Sequence, residues 1–192
     1  RRIDPTAGTG FPYLVSYQRT GPICFLGHLE FMQVMTRSIR RAGLDPLYSQ
    51  GFNPTPKLSY GPALPVGTES LCEFLLIEHR EPLANIEHQK QRLNESLPPG
   101  VSITDIRPHT RRLPQDIACT YRVNLPVSLT ERDCGLVEAF MAAERFEIDR
   151  SRKNKLSRLD LRPLVKDLAV VTPREVTVTI ISRSGQPGCK PI

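Results

Sequence analysis

The segment from Tyr48 to Ser70, YSQGFNPTPKLSYGPALPVGTES, constrains the fold more than any other part of the 192-residue chain. It packs three glycines and four prolines into 23 residues. Pro54, Pro56, Pro62 and Pro65 each lack a backbone N–H and fix φ, so a central strand cannot run through them. Asn53, Thr55, Gly61 and Leu64 each precede a proline and are pushed toward extended geometry. Gly51, Gly61 and Gly67 are free to take positive φ where the chain turns. A segment restricted in this way has little conformational entropy left to lose, on folding or on binding. It reads as a stiff loop that presents its side chains already in place, with one short strand inside it at KLSY, residues 57–60.

The flanking periodicities place this loop inside a recognisable order of elements. FPYLVSYQ (11–18) is aromatic and β-branched and predicts a strand. GHLEFMQVMTRSIRRAGL predicts a helix. Leu29, Met32, Met35, Ile39 and Ala42 recur at helical spacing as its expected core stripe, and Gly43 ends it. Glu30, Gln33, Arg37 and Arg41 form a polar stripe on another face. LCEFLLIEH (71–79) predicts a strand inside a sheet, and residues 83–97 a second helix with Ile86, Leu93 and Leu97 inward. VSITDIRP then alternates as a last strand. The order is β-α-β-β-α-β, the pattern of a ferredoxin-like unit over 11–107.

A second α+β unit of related but more irregular plan is expected over 118–192, after a linker at 108–117. Its first strand is CTYRVNLPV, with Tyr121, Val123 and Leu125 on one face. Thr130 and Asp133 predict a capped helix carrying Leu136, Val137, Phe140 and Met141. RFEID, a basic stretch, LDLRPLV and a closing strand at EVTVTII follow. Residues 1–10 read as a linker or the junction behind a preceding domain, and SGQPGCKPI as the end of a truncated piece.

Composition bounds the class. Hydrophobic content of 39% against 24% charged residues is that of a folded chain. No stretch approaches the roughly 20 apolar residues of a membrane helix. Cys24, Cys72, Cys119, Cys134 and Cys189 are scattered, without the spacing of a zinc or iron–sulfur site, so no metal site is expected. Reduced thiols and a cytoplasmic location are expected. The net charge of +6 is concentrated. Residues 150–166 hold seven Lys or Arg against Asp160 alone, Arg107, Arg111 and Arg112 flank His109, and Arg37, Arg40 and Arg41 form a third group. Three such groups suit phosphates, and therefore nucleic acid, although each alone reads better as a solvated face.

Candidate binding residues follow from these two signals. Tyr48, Phe52 and Asn53 on the stiff loop suit contact with bases, Gln50 adds amide groups, and Lys57 a cation. Arg37, Arg41, Arg152, Lys153, Lys155 and Arg158 suit phosphates. His28 opens the first helix, where exposed N–H groups favour an anion, and with Glu30 it is a weak acid–base candidate.

FLGHLEFMQVMTRSIRRAGL followed by YSQGFNPTPKLSYGPALPVGTES resembles the signature of the radical SAM-linked protein family, a domain of unknown function. The resemblance extends to LDLRPLV at 159–165 and so covers nearly the whole chain. In the family pattern Asp follows "HL" and His lies between the two prolines; this chain has Glu30 and Thr55 there. A ligand or base role for that His does not carry over to Thr55. The resemblance implies a partner, a radical SAM protein with a B12-binding-type domain. SAM, a 4Fe–4S cluster and cobalamin would reside on that partner, with no cofactor on this chain. Family members lie near RNA-processing and ribosomal-protein genes, which points the same way as the charge. The expected role is an accessory module that binds RNA, a tRNA or rRNA, and presents it to the partner. A protein–protein docking domain for that partner is the alternative, and an RNA-processing enzyme in its own right a third reading.

Overall fold

The computed structural model describes residues 10–110, 113, 116–152 and 155–183, excepting the side chains of 150–152, 155, 156 and 183. The chain is α+β, and it divides into two compact units, one up to Leu113 and one from Pro114.

The first unit runs β1 (Phe11–Arg19), α1 (His28–Arg41), β2 (Leu58–Tyr60), β3 (Ser70–His79), α2 (Ile86–Ser96) and β4 (Val101–Pro108). Its sheet order is β2-β3-β1-β4, with every neighbouring pair antiparallel. That is the connectivity of a ferredoxin-like βαββαβ unit. Alternation along β1 sends Tyr13, Val15, Tyr17 and Arg19 to the helix side, where Leu75 and Ile77 of β3 and Val101 and Ile103 of β4 meet them.

The inward face of α1 is Phe31, Met35, Ser38, Ile39 and Ala42. Leu29, expected in that stripe, is 73% exposed, and Met32 is only half-buried. The face is rotated because Phe31, the largest apolar residue of the helix, stacks on Tyr17 with ring centroids 5.6 Å apart. The polar stripe of Glu30, Gln33, Arg37 and Arg41 is exposed, as expected. Each fully buried large apolar side chain here contributes about 1.5–3 kcal/mol of transfer free energy. Asn85 caps α2 by accepting the His88 N–H, and Leu93 is its one buried residue.

The second unit runs β5 (Asp116–Asn124), α3 (Glu131–Ala142), β6 (Glu147–Arg152), β7 (Lys155–Asp160), β8 (Val165–Thr172) and β9 (Glu175–Arg183). The expected relation to the first unit holds for the opening strand–helix step and stops there. The order β5-β9-β8 puts the last strand in the centre, and β6-β7 is a separate hairpin. The described part of the basic stretch, 150–152 and 155–158, lies in that hairpin, and β8 is a strand not predicted from the sequence. Thr130 and Asp133 form the expected capping box. Around Val165, Val178 and Ile180 the core is small, and α3 has no buried residue.

Candidate functional site

The stiff loop is built on three layers of backbone bonding. Leu47 donates its N–H to the Glu78 carbonyl, and its own carbonyl accepts the Lys57 N–H. Tyr48 bridges Pro56, and Ser49 donates its N–H to the Thr55 carbonyl. Ser49 Oγ accepts the Thr55 N–H at 3.0 Å and lies 3.1 Å from Thr55 Oγ1. Thr55 thus closes the neck of the loop. Beyond that neck, Gln50, Gly51, Phe52, Asn53 and Pro54 are exposed, with Phe52 at 100%. Of the three loop glycines only Gly67 adopts positive φ, at 85°. Gly61 is close-packed instead: a Cβ there would sit 3.1 Å from the Phe74 ring, which would have to shift.

The predicted cations are distributed unevenly. Lys57 Nζ lies 3.7 Å from Glu78 Oε2, so the loop lysine is already paired. Arg41 donates to the Ser96 carbonyl at 2.8 Å and to Ser38 Oγ at 3.2 Å, tying α1 to the end of α2. Arg40 lies over the Tyr48 ring at 5.8 Å and links α1 to the loop. Arg37 is exposed on the same helix. In the second unit Arg158 sits in an ion-pair ladder with Glu147 and Asp149. Arg152 and Lys155 face each other in the β6–β7 register, while Lys153, with Arg111, Arg112 and Cys189, lies outside the described residues.

The two weak acid–base candidates at the entrance of α1, His28 and Glu30, make separate contacts. Glu30 turns back and accepts the Gly27 N–H through Oε2 at 2.7 Å, half of a capping box, since Gly27 has no side chain to reciprocate. His28 instead meets the Tyr60 ring edge-on, with centroids 5.8 Å apart.

Beneath that contact lies a polar cluster that sequence reading missed. Tyr17 of β1 pairs directly across from Glu73 of β3, and Tyr60 of β2 is paired with Leu75 one step along. Burial holds the Tyr60 phenol well above the usual tyrosine range. Tyr17 is pushed further up, by burial first and then by the negative charge of Glu73 and of Tyr60. Glu73 is itself raised by burial, partly offset by the Ser70 hydroxyl, which donates to it at 2.9 Å, and by the Arg19 charge. The Tyr60 hydroxyl is shielded from solvent and makes no hydrogen bond among the described residues. Arg19, itself buried, donates to the carbonyls of Ile23, Cys24 and Leu26 and lies 4.7 Å from the Phe31 ring centroid. It thereby fixes the turn that launches α1. The one available signal in the sequence was a Tyr, an Arg and a Glu at inward positions of two strands otherwise apolar on that side.

Around this end of the first unit Phe25, Leu29, Val66 and Leu71 are exposed. No three His, Cys, Asp or Glu side chains among the described residues are grouped as metal ligands. Nor is any helix among them long and apolar enough to cross a membrane.

These features define an α+β protein that begins with a ferredoxin-like unit and carries a braced aromatic loop on it. The chain belongs to the DUF2344 family, described as uncharacterized proteins conserved in bacteria, whose model matches residues 13–191 and so spans both units. No curated protein matches it.

Proposed function

We propose that this chain is an accessory substrate-binding module of a radical SAM system, binding RNA (a tRNA or rRNA) and presenting it to the partner enzyme. The observation that carries this reading is Phe52, fully exposed at the tip of a loop whose neck is closed by Ser49 and Thr55. A ring held out in water by a braced loop packs against nothing in its own chain. It offers an open face on which a base stacks, and base–aromatic stacking is worth about 1–3 kcal/mol per base. Arg40 over Tyr48 at the base of the loop and exposed Arg37 on the same helix supply cations on this unit. The partner, a radical SAM protein with a B12-binding-type domain, would hold the SAM, the 4Fe–4S cluster and the cobalamin.

The test is fluorescence anisotropy of labelled total tRNA and rRNA fragments at low and high salt. Binding that weakens steeply with salt and is reduced by Phe52→Ala supports the reading. Salt-insensitive binding, or none at low salt, overturns it.

A docking domain for the same partner is favoured by a separate observation. Lys57, Arg41 and Arg158 are engaged within the chain, whereas Phe25, Leu29, Val66 and Leu71 are left in water. Co-purification of the partner that survives nuclease treatment and is lost with Phe25→Ser would favour docking over RNA.

A further inference from the structure

A cleft of about 480 Å³ opens where the C-terminal ends of α1 and α2 meet, lined by Arg41, Ala42, Arg92, Glu95, Ser96 and Leu97. Its two arginines are held differently. The Arg41 guanidinium is oriented by bonds from Nη2 to Ser38 and Ser96, which leaves the Nε–H and the Nη1 donors of its fork unspent. Arg92 makes no hydrogen bond or ion pair among the described residues. It is wedged against the turn that ends α1: a Cβ on Gly43, which sits at φ 72°, would lie 2.8 Å from Arg92 Nη2. The acid in the cleft, Glu95, accepts from Gln91 Nε2 at 2.9 Å and pairs with neither arginine.

Cations in the last turn of a helix are ordinarily explained by the helix dipole, and Arg40 and Arg41 fit that explanation. Arg92 does not, because the last turn of α2 has no basic residue. Two guanidinium groups that line one cleft, neither paired with its acid, repel each other unless an anion lies between. Arginine forks match phosphate geometry better than any other side chain. Arg40, exposed and next in sequence to Arg41, covers Tyr48 at the base of the loop that exposes Phe52.

We infer that a single-stranded RNA segment lies across the C-terminal end of α1, with a backbone phosphate between Arg41 and Arg92 and a base on Phe52. This rests on the RNA-binding reading above and names the form of RNA and a phosphate subsite. A single strand is required because Phe52 offers its face only to a base that has left the stack of a duplex.

The experiment is a titration of the full chain with a fluorescein-labelled single-stranded RNA oligonucleotide of mixed sequence, and with its duplex, across about 50 to 200 mM salt. Arg92→Ala is the deciding variant, since Arg41 also ties the helices together and Arg92 is exposed. The expected result is preference for the single strand, a loss of about tenfold in affinity on Arg92→Ala, and a salt slope smaller by about one. The melting temperature should be unchanged, and Arg122→Ala in the second unit should bind as the unmodified chain does. Unmodified binding by Arg92→Ala, or preference for the duplex, overturns the subsite while the RNA reading stands. No binding of either RNA by the unmodified chain overturns the RNA reading, and the subsite with it.

Discussion

Helices α1 and α3 each follow the first strand of their unit, and they bury very different amounts. Both begin with local capping: Glu30 takes the Gly27 N–H, and Thr130 and Asp133 cap each other. Yet α1 buries Phe31, Met35, Ser38 and Ile39, whereas no residue of α3 is buried. The difference lies in the surroundings. A four-stranded sheet and α2 enclose α1, while α3 lies on a three-stranded sheet and is the one α-helix of its unit among the described residues. Local start signals decide where a helix begins; its neighbours decide how much of it leaves water.

A buried or half-buried arginine repeats across the two units. Arg19 donates to three carbonyls and sits over Phe31 of α1. Arg162 donates to the carbonyls of Val165 and Met141 and lies 5.9 Å from the Phe140 ring centroid of α3. In each unit an arginine, at the end of β1 in the first and at the start of a short 3-10 turn (Arg162–Leu164) in the second, satisfies nearby carbonyls and packs on an aromatic residue of the helix. Arg19 is the more deeply buried, so its loss leaves more carbonyls without solvent.

The largest expected effect tests the core contrast. Met35→Ala, at a position with no solvent exposure, should cost about 2–5 kcal/mol in urea unfolding. Leu136→Ala on α3, 61% exposed, should cost under about 0.5 kcal/mol. Equal losses would mean that α3 packs as deeply as α1. Next comes the arginine pair. Arg19→Met should cost about 3 kcal/mol and Arg162→Met about 1–2 kcal/mol, because fewer buried acceptors are orphaned in the second. A reversed order would break the parallel. Thr130→Ala should cost about 1 kcal/mol through lost capping, read as faster amide exchange in the first turn of α3 with α1 unchanged.

The smallest effects are in pH dependence, and they have opposite signs in the two units. Burial raises Glu73, so its contribution is present at low pH and is lost as pH rises through its elevated value. Glu73→Gln should therefore melt higher than the unmodified protein toward neutral pH, with the gap closing in acid. In the second unit the Phe146 N–H holds Asp160 low and the Thr130 N–H holds Asp133 low. Their contributions are present above the ordinary carboxylate range and are lost as pH falls, so Asp160→Asn should flatten the acid limb of the melting curve. A Glu73→Gln variant with the same pH profile as the unmodified protein would remove the charge-based contrast.

The first unit was readable because period and punctuation agreed: aromatic alternation in β1, helical spacing in α1, and prolines that barred a strand from most of 48–70. The second was less so. β8 lies in VKDLAVVT, whose polar and apolar residues give no clean alternation, and its burial is uneven. Site residues divided in the same way. Phe52 was legible as an aromatic on a stiff loop. The Tyr17, Tyr60 and Glu73 cluster was not, because its members come from three strands and only the β1–β3 and β2–β3 registers bring them together.

The sequence alone determined the order of elements in the first unit, the stiffness of its loop and the capping of α3, since each depends on neighbours a few residues apart. Tertiary structure decided which face of α1 turned inward, which cations are tied to Glu78, Ser96 and Glu147, and which phenols were cut off from water. Those outcomes depend on partners tens of residues away, and burial, not residue type, sets their energies.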